Sequence, residues 1–419
     1  MGSKIRITEN NKYYVEFDKN AETYVLTFEA FRLKNYKAFC DTGWIKANRM
    51  TIVYGANSSG KTALFYFMRF MYKCYKKREN GEIFSDTSRL RESDGSFSEM
   101  IYSGAPKDSK IEFWLRFSSK EFDKIEYIIR LEPTESGLDA QVAFAEIAYG
   151  NSIIDIIHDD GYNIENLFFI TAKNNSEISE EYHIVNAVQR SVNELMNGFQ
   201  MIGSRRILPT RNISLSGKDY EQIGENGLNT YDILYHSSAL NKRKDIVDEW
   251  LMNFGYSFYW KLEEGYGQFI LKNNKRNTET NIVDNGYGIS QSLPIAVAVA
   301  STERHSLLFI DSPEAFLQTR MQSEMMDLLL KVHEGSRLIL ETGSEYLLMR
   351  LRRRIAEKKV SSADLSVYFI RESEHEEAFI EEIRMDDTGE FIEAPEEFLS
   401  FLSADFEDLM VWEEITRSI

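Results

Sequence analysis

Eight residues constrain this chain more than any others: Gly55-Ala56-Asn57-Ser58-Ser59-Gly60-Lys61-Thr62, which satisfy the pattern G-x-x-x-x-G-K-[ST] in full. They follow a short apolar run, Met50 to Tyr54, and precede Ala63 to Lys76, where Leu64, Phe67, Phe70 and Met71 recur at helical spacing. A Gly/Ser loop between a strand and a helix lets backbone N–H groups curl around phosphate oxygens at the positive end of the helix. In this arrangement Gly55, Asn57, Ser58, Ser59 and Gly60 cradle phosphate, the Lys61 ammonium reaches the outer phosphates, and the Thr62 hydroxyl ligates Mg²⁺. The chain is expected to bind a nucleotide.

A P-loop needs a second carboxylate, at the end of a neighbouring strand, to hold the metal. Asp311 meets that need, closing Leu307-Leu308-Phe309-Ile310 and followed by Ser312-Pro313-Glu314. Glu341 ends Leu338-Ile339-Leu340 in the same way, with a surface acid and a water-facing group as its two readings. After Asn281 the pattern alternates: a buried helix at Pro294 to Ala300, the Leu307 strand, a helix at Gln322 to Val332, the Leu338 strand, a basic helix at Leu347 to Lys359 and a strand at Leu365 to Ile370. Such alternation implies a parallel sheet with helices on its faces.

Upstream, Tyr13 to Trp44 alternates apolar and polar residues, and Lys110 to Phe117 with Lys124 to Leu131 reads as a further pair of strands. Glu177 to Phe199 and Asp232 to Phe254 are helical by period, and Tyr256 to Leu271 suits a hairpin. The domains drawn are 1–132, an N-terminal β lobe with the P-loop and its helix; 133–280, a mainly helical insertion plus a hairpin; 281–371, a C-terminal α/β lobe; and 372–419, an acidic segment. About 250 residues separate Thr62 from Asp311, too many for a compact kinase or GTPase core. Shortly before the Asp311 strand, Gly286, Gly288, Ser290 and Gln291 lie in a Gly-rich turn that opens an apolar helix, a second phosphate-ready helix start.

The order of P-loop, insertion, Gly/Ser helix start and Asp strand resembles an ABC-type ATPase head, in particular the SMC/RecF-like branch of the AAA ATPases. Phe31-Arg32-Leu33-Lys34-Asn35-Tyr36-Lys37-Ala38-Phe39, followed by Val53 to Thr62, looks like the opening of that family. Ile223-Gly224-Glu225-Asn226-Gly227, Leu308 to Gln318, and Glu341-Thr342-Gly343-Ser344-Glu345 continue the likeness toward stand-alone bacterial defence ATPases of the OLD and Septu type. The resemblance implies an α/β ABC-type head that takes ATP and Mg²⁺. It also implies a homodimer with ATP sandwiched between one subunit's Gly55–Thr62 loop and Asp311 and the other's Gly286–Gln291 turn. The nuclease domain that OLD enzymes carry after the head does not fit in the residues beyond Glu345, so an effector, nuclease or toxin, is expected as a separate chain.

The departures from the family are as informative. The Glu that usually follows the metal carboxylate is replaced by Ser312, which is no base at neutral pH. The switch His is replaced by Gly343, Phe316 and Gln318 stand where histidines are common, and no Gln loop is assigned between Thr62 and Gln141. Glu314 and Glu341 are the remaining candidates for the base. The expected behaviour is tight Mg–ATP binding with slow hydrolysis in a defence switch. The alternatives are a RecF-like DNA-maintenance ATPase and a nucleotide-locked scaffold.

Charge bears on the DNA alternative. The 49 Lys and Arg against 67 Asp and Glu give a net −18, which speaks against nucleic-acid binding through bulk charge. Yet the residues from Glu372 onward carry 17 acids against 2 bases, so the rest is nearly neutral. Phe391, Phe398, Phe401, Leu402, Phe406 and Trp412 make that segment more than a solvated tail, and it is expected to dock on the basic Arg350–Lys359 helix or on a basic partner. Arg350, Arg352, Arg353, Arg354, Lys358 and Lys359, with Lys73, Lys76, Lys77, Arg78, Arg205 and Arg206, read first as faces paired with nearby acids and second as a nucleic-acid surface. Arg211, among the family-like glycines, is a candidate nucleotide contact. Cys40 and Cys74 form no disulfide framework, the six histidines lack metal spacing, and no apolar run suits a signal peptide or membrane span; a cytoplasmic protein without a membrane role is expected.

Overall fold

The computed structural model describes residues 24–400, apart from 57–58, 159–160, 173–178, 219, 221, 237–243, 264–265 and 373–377, together with the paired strands Lys4–Ile7 and Tyr13–Glu16. Its centre is a sheet in which Phe199–Ile202, Leu307–Asp311, Arg337–Thr342, Met50–Gly55 and Leu365–Glu372 lie side by side and parallel. Ala378–Met385 and the short Phe391–Ile392 extend it antiparallel.

Alternation along these strands divides the core in two. Val53, Leu307, Phe309, Ile339, Tyr368 and Ile370 point to one face, against the P-loop helix Lys61–Glu79 and the helix Glu180–Asn197. Ile52, Tyr54, Leu308, Ile310, Leu338, Leu340, Val367 and Phe369 point to the other, against the helices Lys244–Asn253, Tyr287–Ala300, Thr319–Leu329 and Glu345–Ala356. The helix Tyr287–Ala300 is wrapped on all sides, which explains its nearly continuous apolar sequence.

An antiparallel sheet covers the outer side of the P-loop helix. Its order runs Ser152–Asp155, Ala140–Tyr149, Ile125–Pro133, Ile111–Ser118, Thr27–Tyr36, Phe39–Asp41, with Ile45–Lys46 also on Thr27–Tyr36. Phe67 stacks on both Phe31 and Phe113, tying helix to sheet.

The insertion drawn at 133–280 is not mainly helical. Ala140–Tyr149 continues the antiparallel sheet, and Ser152–Asp155, Tyr162–Glu165 and Phe169–Ala172 are also strands. Among the described residues of this stretch, helix begins at Glu180. The Tyr256–Glu263 and Tyr266–Asn273 strands form the expected hairpin, with Glu279–Asn281 as a third strand.

The described part of the acidic segment, residues 378–400, docks on the basic helix and on the central sheet, by contacts of two kinds. Arg352 donates to the Gly389 carbonyl at 2.7 Å and to Glu390 at 2.7 Å, with its guanidinium over the Phe391 ring, and Lys358 donates to the Asp387 carbonyl. Phe398 is fully buried in edge contacts with Tyr54, Phe369 and Phe391. Phe401, Leu402, Phe406 and Trp412 lie outside the described residues. Within the basic helix, Arg350 and Arg354 close on Asp327, and Arg353 on Glu357, so the paired reading of these arginines holds. Removal of the Phe398 ring leaves a cavity under the P-loop strand. Phe398→Ala is expected to lower unfolding free energy by about 3–5 kcal/mol in denaturant titrations; a loss under ~1 kcal/mol would mean the segment is not seated there.

Candidate functional site

Strand register assembles the site. Asp311 lies beside Glu341 in the parallel ladder, and Glu341 lies beside Val53, two residues before Gly55. By the same alternation, Asp311 and Glu341 share the face of Phe309, Ile339 and Val53, the face covered by the P-loop helix. Phe65 of that helix meets Phe309 edge-on, with centroids 4.9 Å apart, and so fixes how the helix start sits over the strand ends. The result is a polar cleft of about 750 Å³ lined by Gly60, Lys61, Thr62, Asp311, Glu314 and Glu341, among others.

Close packing explains the glycines that frame the loop. A Cβ on Gly55 would stand 2.6 Å from the Ile370 carbonyl oxygen, and one on Gly60, at φ +98°, would stand 2.9 Å from Ala38 Cβ. Asn57 and Ser58 lie outside the described residues.

The Lys61 ammonium donates to the carbonyls of Gly55 at 2.9 Å and Ala56 at 2.6 Å. The Thr62 hydroxyl donates to Glu341 Oε1 at 3.0 Å. Asp311 is held at both oxygens, by the Ser204 N–H at 3.2 Å and the Ser312 hydroxyl at 2.7 Å. Glu314 accepts from the Gly343 N–H at 3.0 Å. Ser59 Oγ, Glu314 Oε2 and Glu341 Oε2 are buried without a partner among the described residues. Burial, with Asp311 close by, pushes Glu341 up to about 8; burial also raises Glu314 and lowers Lys61. A hydroxyl, two strand-end carboxylates and unpartnered buried oxygens are hard donors of the kind that suit Mg²⁺ beside phosphate, so the residues fit that ion.

The Gly286 turn stands apart from these groups. Gly286 opens the Tyr287–Ala300 helix with free space around it, whereas a Cβ on Gly288 would lie 3.1 Å from the Phe316 carbonyl. Ser290 and Gln291, expected to face nucleotide, are buried: Ser290 donates to the Tyr287 carbonyl and Gln291 to the Arg206 carbonyl. Only the Gly286–Gly288 stretch, with the exposed Tyr287, is presented outward. Arg211 is exposed and paired with Asp284, away from the lining of the cleft. Ser204, which holds Asp311, and Arg206 behind it escaped the sequence reading, which took Arg206 for surface charge.

Residues 50–350 match the family described as "AAA domain, putative AbiEii toxin, Type IV TA system". Among solved structures, an SMC head bound to the C-winged helix domain of ScpA is similar at 14% identity and TM-score 0.48, covering 86% of this chain and 98% of that one. The SMC head domain from Thermotoga maritima is similar at 11% identity and TM-score 0.44, covering 84% and 98%. A Pyrococcus furiosus SMC head with an extended coiled coil, bound to the C-terminal domain of ScpA, gives 12% and 0.44, covering 86% and 97%. No curated protein sequence matches the chain. No helix among the described residues is long and apolar enough to cross a membrane.

The raised Glu341 gives a pH test in metal-free buffer. Folding takes up a proton here, so this group's stability is complete below the ordinary carboxylate range and is lost as pH rises through about 8. Glu341→Gln is expected to melt a few degrees higher than wild type at pH 9, with little difference at pH 5. Parallel melting curves across that range would remove the crowding of acids as its cause.

Proposed function

The chain belongs to this AAA-domain family, and from that premise we propose that it is an ATP-binding switch whose heads pair around Mg–ATP. The observation that carries the reading is the convergence of Lys61, Thr62, Asp311 and Glu341 on one cleft. Lys61 and Thr62 would turn from their carbonyl and carboxylate partners toward phosphate and metal, with Asp311 as the second metal ligand. Mg²⁺, when bound, neutralises charge on the phosphate oxygens.

Hydrolysis in this reading is slow. Ser312 bonds to Asp311 and is no base, and Gly343 has only a backbone N–H to offer, already given to Glu314. Glu341 and Glu314 remain the two candidate bases. Each has one oxygen taken, by Thr62 or by Gly343, and one buried Oε2 with no partner among the described residues, and Glu341, raised to about 8, must lose its proton before it can accept one. A Cβ at Gly343 would meet only the Gly55 carbonyl, at 3.7 Å, so packing does not forbid a side chain there. Its absence suits a switch that holds nucleotide rather than a motor that cycles.

The open Gly286–Gly288 stretch is the surface offered to the second subunit's nucleotide. A defence setting, with a separate nuclease or toxin as effector, is the role proposed; the family's description names a type IV toxin–antitoxin system. Direct DNA binding is less favoured, because the arginines of the basic helix are paired within the chain.

Light scattering with Mg²⁺ and a non-hydrolysable ATP analogue should show a dimer that wild type lacks without nucleotide. Lys61→Ala should bind ATP at least about a hundredfold more weakly. Steady-state turnover of the isolated protein should stay below about 1 per second. Wild type that binds no ATP would overturn the reading, and fast turnover would overturn the switch.

A further inference from the structure

Arg206 is 6% exposed, yet its guanidinium makes no ion pair with a carboxylate among the described residues. Its donors go to main-chain carbonyls on two separate elements. Nη2 donates to Asp311 O at 2.7 Å and Ser312 O at 2.9 Å, and Nη1 to Gln291 O at 3.3 Å. Gln291 Nε2 returns a bond to Arg206 O at 3.3 Å, closing a reciprocal clasp on the helix that the Gly286 turn opens. Two residues earlier in the same loop, the Ser204 N–H holds Asp311 Oδ2.

Such a placement is costly. A buried guanidinium gives up its hydration, and here Nε has no partner among the described residues. Burial draws the group down to about 10, opposed by the nearby Asp311 and Glu314, so it stays charged at neutral pH. A charged fork aimed at carbonyls makes stronger bonds than a neutral donor would. What it secures is the turn at Ser312, a non-glycine residue at φ +48° whose hydroxyl orients Asp311.

We propose that Arg206 is a positioning residue: it couples the start of the Gly286 helix to the presentation of the Asp311 carboxylate to Mg²⁺. A shift of that helix, on engaging a second subunit, pulls Gln291 and Arg206 together, and through them the Asp311–Ser312 turn. A loop staple alone would affect folding without touching the metal. The inference rests on the Mg–nucleotide reading of the cleft.

The test is a Mg²⁺ titration of fluorescent ATP binding to the full chain. Arg206→Lys, which keeps the charge but loses the fork, should need about tenfold more Mg²⁺ for half-maximal binding, with metal-free nucleotide affinity changed by less than about threefold. Gln291→Met removes the return bond to the Arg206 carbonyl while leaving the guanidinium's bond to the Gln291 main-chain carbonyl, so it should move the same midpoint by only about threefold, and it serves if Arg206→Lys fails to fold. The double variant should be no worse than Arg206→Lys alone. Unchanged Mg²⁺ midpoints in the folded variants, or equal losses with and without metal, would overturn the inference while wild-type Mg–ATP binding leaves the cleft's reading intact. Wild type without Mg²⁺-dependent binding would overturn both.

Discussion

Everything in the cleft depends on one register, the parallel alignment of Asp311 with Glu341 and of Glu341 with Val53. A slip of one residue in either ladder would send an acid to the opposite face of the sheet. That face is a dense apolar layer, where Leu308, Ile310, Leu338 and Leu340 are fully buried against helices. Hydrophobic packing on both sides of the sheet thus fixes where the carboxylates emerge, and local chemistry does not have to.

The price is a strained resting site. Asp311, Glu314 and Glu341 crowd one ammonium, and Lys61 is engaged with main-chain carbonyls instead of with any of them. Buried acids without matched partners oppose folding, and Glu341 answers by holding its proton. A divalent cation and a polyphosphate would bring the positive charge and the acceptors that these groups lack. The arrangement is complementary to what it would bind and poorly satisfied without it, as functional sites often are.

Much of this was legible because it is written in short local patterns. The P-loop carries its own spacing, and the runs before Asp311 and Glu341 are apolar strands that end on an acid. The Ala140–Tyr149 strand was missed: Ala140, Ala143, Ala145 and Ala148 suit a helix as well as a strand, and only pairing with Ile125–Pro133 decides between them. Ser290 and Gln291 were misplaced for a related reason. A Gly-rich helix start reads as an outward phosphate site, but the helix behind it is buried on every side and draws its first polar side chains inward. Arg206 stands next to Arg205 in sequence and resembles surface charge, so its role depended on a carbonyl cluster assembled from Gln291, Asp311 and Ser312, far along the chain.

The excess acidity belongs to one segment, and the described part of that segment, residues 378–400, is structural. Its strand Ala378–Met385 extends the central sheet, and the Ala378 N–H donates to the Ala38 carbonyl, beside the Gly60 end of the loop. Phe398 packs on Tyr54, the residue immediately before Gly55. Aromatic burial rather than charge anchors it, while Arg352 and Lys358 meet it mostly through main-chain carbonyls. Surface ion pairs of this kind add little to stability, whereas a buried ring adds several kcal/mol. Residues 378–400 of the acidic segment are therefore better understood as the back wall of the P-loop strand than as a charged appendage, and the charges they leave exposed are available to a partner without being needed for the fold.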